Sequence, residues 1–108
     1  DGFSVQLLTR DTENTALYMK FGETHILVPN GVDFSLIREI APDALLKPDV
    51  LVLTDADISY IPPRVWDQAG AGVVLWNSVS VLPREDWIGV GEDGGVELVS
   101  DGTNFLIQ

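Results

Sequence analysis

A mixed α/β fold of the α+β kind, a mixed β-sheet with two short helices, is what the sequence predicts, and three observations predict it. Period-two alternation of apolar and polar residues fills the first quarter of the chain. A continuous apolar run stands at Val50-Leu51-Val52-Leu53, and helix signals at Asp33 and at Pro62-Pro63 lie on either side of it. The 108 residues, 45% of them hydrophobic, suit one domain spanning 1–108 with a single core.

Phe3, Val5 and Leu7 alternate with Ser4 and Gln6, the pattern of a half-buried strand, and Asp11-Thr12-Glu13-Asn14 reads as a turn. A second strand runs from Thr15 to Phe21, with Leu17, Met19 and Phe21 on one face and Tyr18 and Lys20 on the other. Gly22-Glu23 turns the chain into Thr24 to Val28, so three antiparallel strands are expected. Pro29-Asn30-Gly31 breaks the sheet. Asp33 is placed to N-cap a helix with an apolar stripe of Phe34, Leu36, Ile37, Ile40 and Ala41, which Pro42 ends. The run Val50 to Leu53, apolar at every position, is expected to be the central strand, buried on both faces. Pro62-Pro63 opens a second helix that Gly70 closes before the strand Val73 to Trp76. Trp87-Ile88, Val96 to Val99 and Phe105 to Ile107 are expected to form a closing β-meander.

Six basic against seventeen acidic residues give a net charge of -11, which repels phosphate backbones and anionic lipid and disfavours direct nucleic-acid binding. The apolar runs are far shorter than the roughly 20 residues of a membrane-spanning helix, so the segment is expected to be soluble. The chain begins at Asp1 rather than Met, and we read it as a segment of a longer protein. Without cysteine there are no disulfides, thiolate metal sites or thiol nucleophiles.

Asp55-Ala56-Asp57 follows the buried strand, where open α/β sheets place ligand sites, and two carboxylates at this spacing could share a divalent cation. Its plainer reading is that Asp55 and Asp57 accept hydrogen bonds from backbone N–H groups of a loop. His25 is the only histidine, too few for a zinc centre, and is expected to be a surface or half-buried strand residue. No serine occupies a Gly-x-Ser-x-Gly elbow. Gly89-Val90-Gly91-Glu92-Asp93-Gly94 spells a dinucleotide fingerprint but is followed by a strand pattern rather than a helix, and reads as a turn. Trp66, Trp76 and Trp87 are expected mainly in the core, the alternative being an aromatic binding face.

The stretches Ala16 to Val28, Leu46-Lys47-Pro48-Asp49-Val50-Leu51-Val52-Leu53, Ile61-Pro62-Pro63-Arg64-Val65-Trp66, Gly70 to Val74 and Gly95 to Gly102 carry a resemblance to a known family. From Thr15 onward the chain resembles the distal, C-terminal half of the metallo-β-lactamase-like domain of ComEC-type DNA-internalisation competence proteins. The resemblance implies that half of the metallo-β-lactamase fold, in a polytopic membrane protein that takes up DNA, with this part outside the cytoplasmic membrane. The segment is then either half of a domain whose other ligands lie elsewhere in the protein or a degenerate copy that kept the sheet and lost the metals, and the departures from the family's motifs favour degeneracy. The family's His-x-His-x-Asp-His cluster is absent, its Thr-Gly-Asp turn reads Pro29-Asn30-Gly31-Val32-Asp33, and its His-His-Gly reads Thr54-Asp55-Ala56-Asp57. One imidazole cannot assemble the two-metal centre that makes hydroxide for phosphoester cleavage.

Three functions follow as expectations. The first is a non-catalytic accessory domain, without cofactor, on the extracytoplasmic face of the cytoplasmic membrane. Its partners would be the rest of the parent protein, another protein, or a second copy paired by a sheet edge. The second is a fragment of a metal-dependent phosphoester hydrolase using Mn, Zn or Mg on Asp33, Asp55 and Asp57. The third is a small module that binds peptide or glycan.

Overall fold

The structure is a computed structural model, and it describes residues 3–8, 15–32, 34–40, 47–59, 61–68, 70–78, 80–90, 98–100 and 105–107. Strand β1 (Phe3–Leu8), β2 (Ala16–Phe21) and β3 (Thr24–Val28) form the antiparallel meander that the alternation predicts. The chain then changes sense. Helix α1 (Phe34–Ile40) leads to β4 (Val50–Leu53), which lies parallel to β3 with Ile26 opposite Val50 and Leu27 opposite Leu51. Helices α2 (Asp55–Ile58) and α3 (Pro63–Asp67) lead to β5 (Val73–Trp76), parallel to β4 in full register from Val50↔Val73 to Leu53↔Trp76. A two-residue strand, β6 (Ile88–Gly89), adds in parallel to β5. The result is a mixed six-stranded sheet in chain order, β1-β2-β3-β4-β5-β6, an α+β arrangement. Strands β7 (Leu98–Ser100) and β8 (Phe105–Ile107) pair antiparallel as a separate two-stranded sheet.

Three differences from expectation have physical reasons. There are three short helices rather than two, because α2 is a four-residue turn too brief to show periodicity. The segment at Trp87-Ile88 joins the main sheet instead of a meander with β7 and β8. Trp87, only 3% exposed, anchors it against Trp76 with ring centroids 6.0 Å apart. The apolar face of β1 is not half-buried: Val5 and Leu7 are 48% and 63% exposed. The proposed cap Asp33 and helix end at Ala41-Pro42 lie outside the described residues.

The two faces of the sheet divide the core. On one, Ala16 and Tyr18 of β2, Leu27 of β3, Leu51 and Leu53 of β4 and Trp76 of β5 pack with Ile37 of α1 and Trp66 of α3. On the other, Val50, Leu75 and Val90 cluster with the partly buried Ile26, Val52 and Val73. Strand β4 thus contributes to both faces, as its unbroken apolar sequence predicts. Gly72 permits the close approach of β5 to the start of β4, since a Cβ there would meet the Asp49 carbonyl oxygen at 3.1 Å. All three tryptophans are buried, Trp66 and Trp76 at 1% exposure and Trp87 at 3%. Indole emission is therefore expected to be blue-shifted and poorly quenched by acrylamide in the native chain, moving to the red on denaturation; a red-shifted, freely quenched native spectrum would contradict this packing.

Candidate functional site

Parallel strands point their carboxyl ends the same way, so β3, β4 and β5 deliver residues 29–32, 54–59, and 77, 78 and 80 to one end of the sheet. Pro29, Asn30, Gly31 and Val32 form a tight turn closed by Val32 N–H donating to the Pro29 carbonyl at 3.0 Å. Both central residues have positive φ, 52° at Asn30 and 81° at Gly31, the backbone of a type I′ turn and the reason for the Asn-Gly pair. The turn aims the Gly31 N–H at the neighbouring loop.

That N–H donates to Oδ1 of Asp57 at 2.8 Å. Oδ2 of the same carboxylate accepts from the Thr54 N–H at 2.8 Å and the Thr54 hydroxyl at 3.2 Å. Thr54 is the N-cap of α2 and Asp57 its third residue, so the carboxylate closes back over the first orphan N–H of the helix as a capping box does. The Asp57 carbonyl accepts from the Trp66 indole at 3.4 Å, fastening α2 to α3. Asp57 is 3% exposed, and burial raises its pKa above the ordinary 3.8 against the opposing pull of its bonds to Gly31 and Thr54.

Asp55 faces elsewhere. It is exposed, and its Oδ2 accepts from the hydroxyls of Ser78 and, at 3.3 Å, Ser80, bridging the end of β4 to the end of β5. The Ser78 hydroxyl also accepts from the Ser80 N–H at 3.0 Å. Helix α2 itself divides the pair, because residues two apart on a helical turn do not share a face. Asp55 and Asp57 are held by different donors in different loops, Asp57 by Gly31 and Thr54 and Asp55 by Ser78 and Ser80.

His25 lies on β3, three residues before the strand's end and about 10 Å back from it at a strand's rise of about 3.3 Å per residue. Its ring stands edge-on to Tyr18, with the Tyr18 hydroxyl and Nδ1 3.2 Å apart. Its backbone is stapled to β4 by Asp49, whose carboxylate accepts from the His25 N–H at 2.7 Å and whose own N–H donates to the His25 carbonyl at 2.9 Å. Asp33 lies outside the described residues. Among the described residues no three histidine, aspartate or glutamate side chains gather at one point. A two-metal centre of the kind the resemblance implies needs several imidazoles and a bridging carboxylate, and the donors at this sheet end, hydroxyls and backbone-bound carboxylates, do not fit it. Of the glycine motif, Gly89 belongs to β6 and residues 91–97 lie outside the described residues.

Thr54, Asp49, Ser78 and Ser80 are absent from the candidates chosen by sequence. Thr54 had a readable signal, a Thr-x-x-Asp spacing immediately after an apolar run. The serines had none, since only the parallel pairing of β4 and β5 brings them to Asp55. Compared with known proteins, the chain matches no family model, no curated protein and no solved structure.

Replacing Asp57 by Ala leaves the Gly31 and Thr54 N–H groups without their acceptor and is expected to cost about 1–3 kcal/mol in chemical denaturation. Protonation acts in the opposite sense to most carboxylates. Because the folded-state pKa is raised, the stability contributed by Asp57 is lowest when it is ionised at neutral pH. It grows as pH falls through the raised value and is complete below the ordinary one. The stability difference between wild type and Asp57→Asn should move toward wild type over that window, while a flat or opposite trend would refute the burial effect.

Proposed function

We propose that this chain is a non-catalytic, degenerate metallo-β-lactamase-like accessory domain of a DNA-uptake membrane protein, set on the extracytoplasmic face and working through structural or protein contact. The observation that carries the reading is the state of the loops after β3, β4 and β5. The sheet end where such a fold would do its chemistry presents no imidazole among its described residues, and its one buried carboxylate serves the backbone. Those interactions hold the loops together from within. The net charge of -11, which repels a phosphate backbone, supports a protein partner over the DNA being moved. No described helix is long and apolar enough to cross a membrane, so attachment to one would come from elsewhere in the parent protein.

The hydrolase reading needs Asp55 to find ligands beyond those gathered here, and its own oxygen already accepts from Ser78 and Ser80. The peptide- or glycan-binding reading loses its aromatic platform, because Trp66, Trp76 and Trp87 are all buried.

Isothermal calorimetry of the chain with MnCl₂ and with ZnCl₂ separates these readings. The accessory-domain reading predicts no saturable heat in the micromolar range and no change in the Asp55→Asn variant. Stoichiometric micromolar binding that Asp55→Asn abolishes would overturn it.

A further inference from the structure

The turn that follows β3 joins a chemically labile dipeptide to the buried Asp57. Of the asparagines, Asn14, Asn30, Asn77 and Asn104, only Asn30 is followed by glycine. Glycine has no side chain to keep its nitrogen away from the asparagine side chain before it. In an open chain the Gly31 nitrogen gives up its proton to solvent base and attacks Cγ of Asn30. A new C–N bond forms, the Cγ–Nδ2 bond breaks, ammonia leaves, and a cyclic succinimide remains. Water then opens the ring at either carbonyl, which leaves aspartate or isoaspartate at position 30.

In the folded loop both reacting groups are engaged elsewhere. The Gly31 N–H, whose nitrogen is the nucleophile, donates to Oδ1 of Asp57 at 2.8 Å. Nδ2 of Asn30, the leaving group, donates to the Thr15 carbonyl at 3.3 Å. The backbone between them is set by φ values of 52° and 81° in a turn closed from Val32 to Pro29. Asn30 is exposed, so water reaches it and the restraint is geometric rather than a matter of solvent exclusion.

We propose that Asn30-Gly31 is a deamidation site gated by Asp57, closed while the carboxylate holds the Gly31 N–H and open once that tie is released. Conversion to isoaspartate routes the main chain through the former side chain and lengthens a turn whose two central residues aim the Gly31 N–H at Asp57. The original tie then cannot re-form, and the modification is a lasting chemical record of loop opening. The inference stands apart from the accessory-domain reading, since it has no bearing on metal binding.

Incubating the 108-residue chain at mildly alkaline pH, native and in guanidinium chloride, tests it, with peptide mapping by mass spectrometry to follow loss of ammonia and uptake of water at residue 30. The native chain is expected to convert at least about tenfold more slowly than the unfolded one, equivalent to about 1.4 kcal/mol. A hydrogen bond to a charged group is of that size. Asp57→Ala, provided its tryptophan emission is native, should lose most of this protection. The wild type gives a reading that needs no variant. Guanidinium chloride below the unfolding transition should speed Gly31 amide hydrogen exchange and Asn30 conversion in parallel, because both wait on the same local opening. A native chain that converts as fast as the unfolded one, a folded Asp57→Ala chain that converts no faster than wild type, or conversion that does not follow Gly31 exchange would each overturn the proposal.

Discussion

A carboxylate taken out of water must recover its hydration from hydrogen-bond donors, and in this chain the recovery of Asp57 organises the end of the sheet. Its two oxygens draw the turn after β3 and the start of α2 onto one point, through Gly31 and through Thr54. Its carbonyl then holds the Trp66 indole, so the buried face of α3 is referenced to the same residue. The arrangement is costly in one respect. The burial that makes these bonds strong also disfavours the charge that makes them, and the raised pKa is the trace of that conflict.

The consequence for function is that a sheet end suited by topology to ligands is occupied by its own scaffolding. Asp57 ties β3 to β4, and Asp55 ties β4 to β5 through Ser78 and Ser80. Side chains that would elsewhere reach for a cation are turned toward backbone and hydroxyl donors of neighbouring loops. These ties link the loops that follow three neighbouring strands.

Much of the fold was legible because it rests on local pattern. Alternation marked β1 to β3, the unbroken apolar run marked β4 as central, and Pro62-Pro63 marked the start of α3. Two features escaped for opposite reasons. Helix α2 is too short to have a period, although the Thr54 to Asp57 spacing was there to be read. Strand β6 depends on a non-local event, the packing of Trp87 against Trp76, which no window of sequence around Ile88 contains. The plainer reading of Asp55 and Asp57, as acceptors for loop N–H groups, describes Asp57, while the hydroxyl donors of Asp55 come from a neighbouring strand end that the local sequence does not reveal. Exposure of the apolar side of β1 was hidden for a similar reason, because alternation says which residues share a face and not what covers it.

The account turns on Asp57 being an internal tie rather than a ligand facing solvent. Following its carboxyl carbon by ¹³C NMR across an acid titration of the folded chain measures this directly. A midpoint above the ordinary carboxylate value of 3.8 is predicted. A midpoint at or below that value would mean that the hydrogen bonds from Gly31 and Thr54 outweigh burial, or that the carboxylate is not buried, and would contradict the balance described above.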